Sequence, residues 1–176
     1  AVEVAKSEMV RDLPASAVAV LNIDDPRVVR MASVTAAPVT WFGLDEAADV
    51  RGVDIEATAS GTAFTLEVDG TSRRVQLRIL GEHHVMNALA AITATRALGV
   101  PIERSVLALE GLARAARWRM EVQPRADGVI VINDAYNASP DSMAAALKTL
   151  AQVTRGDQRS VAVLGEMAEL GEYADE

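Results

Sequence analysis

Residues 128–153 run without interruption from an apolar segment, Gly128-Val-Ile-Val-Ile132, through a polar turn into Ser139-Pro140, after which Met143, Leu147, Leu150 and Val153 recur at helical spacing. A strand followed by a helix fits that order. Consecutive β-branched residues suit a pleated strand, Ser is a favoured N-cap, and Pro is tolerated at the first helical position. A further apolar run, Ser160-Val-Ala-Val-Leu164, follows, so the spacing predicts a βαβ unit whose crossover makes its strands parallel. The intervening turn is richer than its geometry requires. Such a connection takes about two to six residues, and Ser139 with Pro140 already satisfies it, which leaves Asp134, Tyr136 and Asn137 surplus to folding. In open parallel sheets ligands gather where strands end, and Asp134 and Glu166 both follow predicted strands. An Asp there can accept from a ribose hydroxyl or orient a cationic partner. It can equally close an Asx-type turn, and spacing leaves both readings open.

Upstream the texture differs. Residues 1–12 read as the end of a helix, with Val2, Ala5, Met9 and Val10 near one face and no cap before them, so the chain is expected to start in mid-element. Ala17-Val-Ala-Val-Leu21 reads as a short buried strand that stops at the turn signal Asn22-Ile-Asp-Asp-Pro26, and Val39-Thr-Trp-Phe42 as a second. From Asp49 to Leu80 apolar and polar residues alternate, and Asp69-Gly70 between two such runs is a hairpin signal. Two helices follow. Val85, Leu89 and Ile92 line the first, which should stop near Gly99 with Pro101 beyond; Ile102, Val106, Leu109 and Leu112 line the second. After the Arg-rich stretch Arg114 to Arg119 the texture changes again. The expected boundary therefore lies near Arg117, dividing 1–116 from 117–176.

Composition narrows the function classes. Half of the 176 residues are apolar, enough for a substantial core, and the absence of cysteine excludes disulfides and thiolate metal sites. A net charge of -8 and an aromatic content of 3% argue against nucleic-acid binding, which needs clustered bases or stacking platforms. No apolar run approaches the roughly 20 residues that span a bilayer. The first residues carry acids where a signal peptide would be basic and then apolar, so a cytoplasmic protein is expected.

Other polar side chains invite a role beside a plain structural one. Asn87 lies among apolar neighbours on a predicted helix, where its amide either faces solvent or pairs with a donor–acceptor edge such as that of adenine. His83 and His84 are adjacent, do not share a helix face, and make a poor metal pair, so capping or packing is the simpler reading. Arg119 could hold phosphate oxygens through two N–H groups, or form a surface ion pair. Lys6 on a helix is by default solvated.

Taken in order, Ala5-Lys-Ser-Glu-Met9, Val20-Leu-Asn-Ile-Asp-Asp-Pro26, Gly81-Glu-His-His-Val-Met-Asn-Ala-Leu-Ala90, Arg119-Met120, Ile132-Asn-Asp-Ala-Tyr-Asn-Ala-Ser-Pro140 and Leu164-Gly-Glu-Met-Ala-Glu-Leu-Gly171 resemble the Mur ligase family, the ATP-dependent amide-forming enzymes of peptidoglycan assembly. The pairing of the last two segments is similar to the branch that adds D-alanyl-D-alanine to UDP-N-acetylmuramoyl-tripeptide. What the resemblance implies is an α/β chain: the back part of a P-loop-type central ATPase domain with a small antiparallel insertion, then the start of a Rossmann-like C-terminal domain. It implies ATP and Mg²⁺, with the peptide carboxylate taking the γ-phosphoryl group and the resulting acyl phosphate being attacked by the incoming amine. By the same comparison Lys6 matches a lysine that CO₂ converts to a metal-binding carbamate, and Asn87 an adenine-contacting amide. Arg119 matches the arginine that reaches the γ-phosphate, and Asp134 an aspartate beside the nucleotide, with Tyr136 and Asn137 as further contacts. His84 stands where relatives commonly have Asn.

The family's Gly-rich phosphate loop with its Lys-Thr is not found in these residues. The chain is therefore expected to be a piece of a ligase, inactive alone, cytoplasmic and monomeric, with no transmembrane segment. Two other readings compete. One is a sibling Mur or folylpolyglutamate-type amide ligase; the other is a non-enzymatic α/β binding module.

Overall fold

The computed structural model describes residues 2–58, 61–112, 118–154, 156, 158–168 and 170–171. The chain forms two compact units. The first comprises Ala1–Ile55, Phe64–Val75 and Val85–Leu109; the second comprises Glu56–Ala63, Gln76–His84 and Glu110–Glu176. The boundary expected near Arg117 falls at 113–117, outside the described residues.

The first unit opens with helix α1 (Val2–Arg11), strand β1 (Ala19–Asn22) and helix α2 (Pro26–Met31), followed by strand β2 (Val39–Gly43). β1 and β2 are parallel, with Ala19 opposite Val39 and Leu21 opposite Trp41. Strand β1 stops where the sequence turns polar. Asn22 Oδ1 accepts from the Asp24 amide, and Asp25 caps α2 by accepting from Arg27 N at 2.8 Å, with Pro26 next in line. Buried Ala19, Leu21 and Ala37 pack with Val10, Leu13, Val28 and Trp41, so α1 and α2 cover the β1–β2 pair. Helix α1 presents Val10 to this core and leaves Met9, 71% exposed, and Ala5 in solvent, contrary to the face expected from spacing. Packing selects the side, and periodicity alone does not.

Strand β3 (Val50–Thr58) continues the sheet in parallel with β2, Phe42 standing opposite Val50. Strands β4 (Gly61–Val68) and β5 (Thr71–Leu77) complete the order β1-β2-β3-β4-β5. Asp69 and Gly70 join β4 to β5 with φ of 51° and 72°, the doubly left-handed geometry of a tight hairpin, as the Asp-Gly pair predicts. A connection this short makes the two strands antiparallel.

Helix α3 (His83–Ala97) buries Val85, Ala88, Leu89, Ile92 and Thr93. It approaches β3 so closely at Gly52 that a Cβ there would meet Leu89 Cδ1 at 3.1 Å. The helix ends in a Schellman turn: Gly99, at φ 79°, donates to Arg96 O, and Val100 donates to Thr95 O. Arg96 returns to the hairpin tip and grips Asp69 with two bonds, of 3.1 and 2.6 Å. Helix α4 (Ile102–Glu110) buries Ser105 and Val106, and Thr95 and Ser105 share a hydroxyl bond of 2.7 Å, whereas Leu112 at the end of the expected stripe is exposed.

In the second unit, strands β6 (Glu121–Pro124) and β7 (Ile130–Asn133) pair antiparallel, Val122 opposite Ile132. Helix α5 (Pro140–Val153) begins with the expected cap: Ser139 Oγ accepts from Ser142 N, the Ser142 hydroxyl accepts from Ser139 N, and Pro140 follows. Its inward side differs from the expected stripe, since Thr149 is buried and Leu147 is 41% exposed. Among the described residues the parallel βαβ unit is not formed. Residues 160–168 carry no strand, and Val161, Val163 and Leu164 stand 66%, 92% and 58% exposed. An extended apolar run becomes a strand only with a hydrogen-bonded neighbour, and among the described residues β7 pairs with β6 alone. Glu166 therefore follows no strand and lies exposed.

Candidate functional site

The polar groups singled out at the end of β7 converge on a turn that precedes β6. Trp118 and Met120 both adopt left-handed backbone, φ 63° and 49°, which costs a residue bearing a side chain about 1 kcal/mol each. Among the hydrogen bonds that hold that conformation, two come from the turn after β7. Asp134 Oδ1 accepts from Met120 N at 2.9 Å, and Tyr136 N donates to Trp118 O at 3.2 Å. The Met120 side chain, 4% exposed, anchors the turn from below. Arg119 sits between the two strained residues, exposed, with its guanidinium 4.3 Å from the centre of the Tyr136 ring. The turn after β7 is built from its own side chains. Asn133 Oδ1 accepts from Ala135 N, and Asn137 Oδ1 accepts from Ala138 N at 2.9 Å.

Two histidines adjoin this arrangement in the same unit. Gly81, at φ 110°, lets the His83 ring fold back over the turn, for a Cβ there would meet His83 Cε1 at 2.5 Å. Gly81 N donates to the buried Thr62 hydroxyl at 3.0 Å, which fixes the segment. The two rings lie 4.1 Å apart, tilted by 43°. Burial drives His84 down to about 4, reinforced by the charges of His83 and Arg119, and its Nε2 is buried without a hydrogen-bond partner. His83 is exposed by surface area, yet protein atoms crowd its ring. That lost solvation pushes its pKa below the usual imidazole value, while Asp134 pulls the other way. Both rings are thus favoured in their neutral forms at neutral pH, and each senses a charged residue of the 118–137 segment.

Arg119, Asp134 and Tyr136 are accordingly brought together, and Asn137 points its acceptor at its own chain. Lys6 on α1 and Asn87 on α3 belong to the first unit, and both are exposed. Among the described residues no three acidic or imidazole groups converge as a metal cage. Sequence reasoning did not anticipate Glu82, whose carboxylate accepts from Lys148 Nζ at 2.6 Å and Gln152 Nε2 at 2.7 Å. A Lys and a Gln four apart on one helix face could have signalled a shared acceptor. Strand β6 was also unforeseen, since Glu121-Val-Gln-Pro124 contains a single apolar side chain other than proline.

Residues 1–95 match the Mur ligase middle domain, and residues 118–176 match the Mur ligase glutamate ligase domain. The chain is 43% identical over 174 residues to the UDP-N-acetylmuramoyl-tripeptide--D-alanyl-D-alanine ligase of Mycobacterium tuberculosis, covering 96% of the chain and 34% of that protein. The crystal structure of MurF from Acinetobacter baumannii superposes with a TM-score of 0.79 at 33% identity, over 87% of the chain and 33% of that structure. MurF of Thermotoga maritima, solved in complex with ADP, shares the fold with a TM-score of 0.72 at 23% identity, over 84% of the chain and 33% of that structure. The chain thus spans about a third of the length of the curated relatives it matches.

Proposed function

Because this chain belongs to the Mur ligase family, we propose that it is part of an ATP-dependent ligase that joins D-alanyl-D-alanine to UDP-N-acetylmuramoyl-tripeptide in peptidoglycan biosynthesis. The observation that carries the reading is the 43% identity, over 174 residues, to a ligase of that name. The two separate family matches also favour a division near 116, into the back of a central ATP-binding domain and the start of a C-terminal domain.

The reaction brings a peptide carboxylate against a triphosphate, two anions that repel. The γ-phosphoryl group passes to the carboxylate and ADP leaves; the D-alanyl-D-alanine amine then attacks the acyl carbon and phosphate departs. Fixed positive charge at the transferring group is what an enzyme must supply. Arg119 is suited to this, because its planar fork can donate two N–H bonds to phosphate oxygens. Asn87 offers an exposed amide for the adenine edge, and on this reading Asp134, Tyr136 and Asn137 are the residues beside the nucleotide. Mg²⁺ supplies further charge neutralisation in such chemistry. The described residues do not form a complete site for it. Lys6, exposed on α1, would as a carbamate contribute one anionic oxygen ligand, with the other ligands coming from elsewhere in the ligase.

No described helix is long and apolar enough to cross a membrane, and we read the ligase as a cytoplasmic monomer. Amine specificity tests the function. The full-length enzyme should turn over with D-alanyl-D-alanine and not with diaminopimelate, L-alanine or glutamate; turnover with another amine alone would assign it to a sibling ligase. Calorimetry on the isolated segment should show no tight ATP–Mg²⁺ binding, and tight binding would contradict its reading as an incomplete piece.

A further inference from the structure

The Arg119 turn combines backbone strain with external support. Left-handed geometry at Trp118 and Met120 would relax in an unsupported loop, and a free arginine spreads over many rotamers. Here the carbonyl of the residue before Arg119 and the amide of the residue after it are both tied to the 134–136 turn, and the side chain between them rests on an aromatic face. We propose that Tyr136 is a positioning residue for Arg119: its ring holds the guanidinium in its reaching conformation while its backbone, with the Asp134 carboxylate, clamps the strained turn beneath. The inference rests on reading Arg119 as the phosphate-facing cation. It gives Tyr136 a role through arginine rather than through the nucleotide. The ring face supplies the hold, and the phenol oxygen is dispensable.

The test separates that role from a direct nucleotide contact. In the full-length enzyme Tyr136→Leu should lower kcat about fivefold, the value of one exposed cation–π contact, and shift KM for ATP by less than about twofold. Tyr136→Phe should restore most of the lost turnover. In an Arg119→Ala background the Leu substitution should cost almost nothing further, because the cation that partners the ring is already gone. A rise in KM with unchanged kcat, or a full additional loss in the Arg119→Ala background, would overturn the proposal. An arm independent of activity is the Arg119 Hε resonance. It should lie upfield through the ring current, move downfield in Tyr136→Leu and return in Tyr136→Phe; an Hε shift identical in the wild type and Tyr136→Leu would also overturn it. Should the resonance behave as expected in a protein that forms no amide bond, the ligase reading fails and the aromatic support of Arg119 stands.

Discussion

Lys148 Nζ lies 2.6 Å from Glu82 Oε2, tying the middle of α5 to the residue just before the paired histidines across 66 positions of sequence. Hydrogen bonds from Lys148 and then Gln152 hold the Glu82 carboxyl below its ordinary value of 4.5. A depressed acid stabilises the fold at pH values above its unfolded pKa, and that contribution disappears as pH falls through the folded one. The side chains are 61% and 35% exposed, so solvent screening limits the pair to about 0.5 kcal/mol. Glu82→Gln should therefore lower the urea midpoint slightly at pH 7, and the gap should be smaller at pH 3. A gap of equal size at both pH values would mean that packing, not charge, ties α5 to this segment.

His84 gives a larger and differently placed pH effect. Its pKa falls from 6.5 to about 4 on folding, through burial first and the charges of His83 and Arg119 next. Below 6.5 the unfolded chain takes up a proton that the folded chain refuses, so stability declines as pH drops and levels off near 4. The loss is on the order of 2 kcal/mol after allowance for partial exposure. Replacing His84 with Asn should flatten denaturant-derived stability between those limits. An imidazole titration followed by NMR should place the His84 midpoint well under that of a free histidine, and a midpoint at the ordinary value would refute the burial argument.

Two glycines separate steric from conformational demand. Gly61 has φ 139°, and a Cβ would collide with the Leu77 carbonyl oxygen and press the Arg78 Cα at 3.1 Å. Backbone cannot step aside as a flexible side chain can, so Gly61→Ala should cost more than about 3 kcal/mol. Gly70 has φ 72° with nothing within 4 Å, and Gly70→Ala should cost only about 1 kcal/mol. Thermal melts of the two variants should differ by many degrees; similar melting would mean that the Gly61 strand end shifts freely.

Local turn chemistry made part of this fold legible. Asp69-Gly70, Gly99 and Ser139-Pro140 each specify a backbone geometry within a few residues, and each forms where the sequence predicts it, whereas Asp25-Pro26, read only as part of a turn signal, also caps α2. The misread features depend on neighbours. Whether Ala5 or Val10 faces inward is settled by what lies beneath α1, and whether Ser160–Leu164 becomes a strand is settled by a pairing partner. The candidate site follows the same division. Asp134 and Tyr136 stand out as surplus polar groups and Arg119 as a possible phosphate holder, but nothing in their spacing says that Asp134 accepts from the Met120 amide or that Tyr136 lies beside the guanidinium.

Lys6 offers the sharpest contrast between a structural and a chemical role. It lies exposed on α1, whose inward contacts come from Val10, so its removal should leave stability within about 0.5 kcal/mol of the parent. On the proposed reading its amine gains CO₂ and becomes a carbamate, exchanging a cation for an oxygen ligand that a hard divalent ion prefers. Lys6→Ala in the full-length ligase should then lower turnover by orders of magnitude without changing the melting temperature. Short-chain carboxylic acids, supplying an anionic oxygen where the carbamate stood, should restore part of it, and cations such as ethylammonium should not. Turnover close to that of the parent, or rescue by the amine instead of the acid, would show that Lys6 is an ordinary solvated side chain.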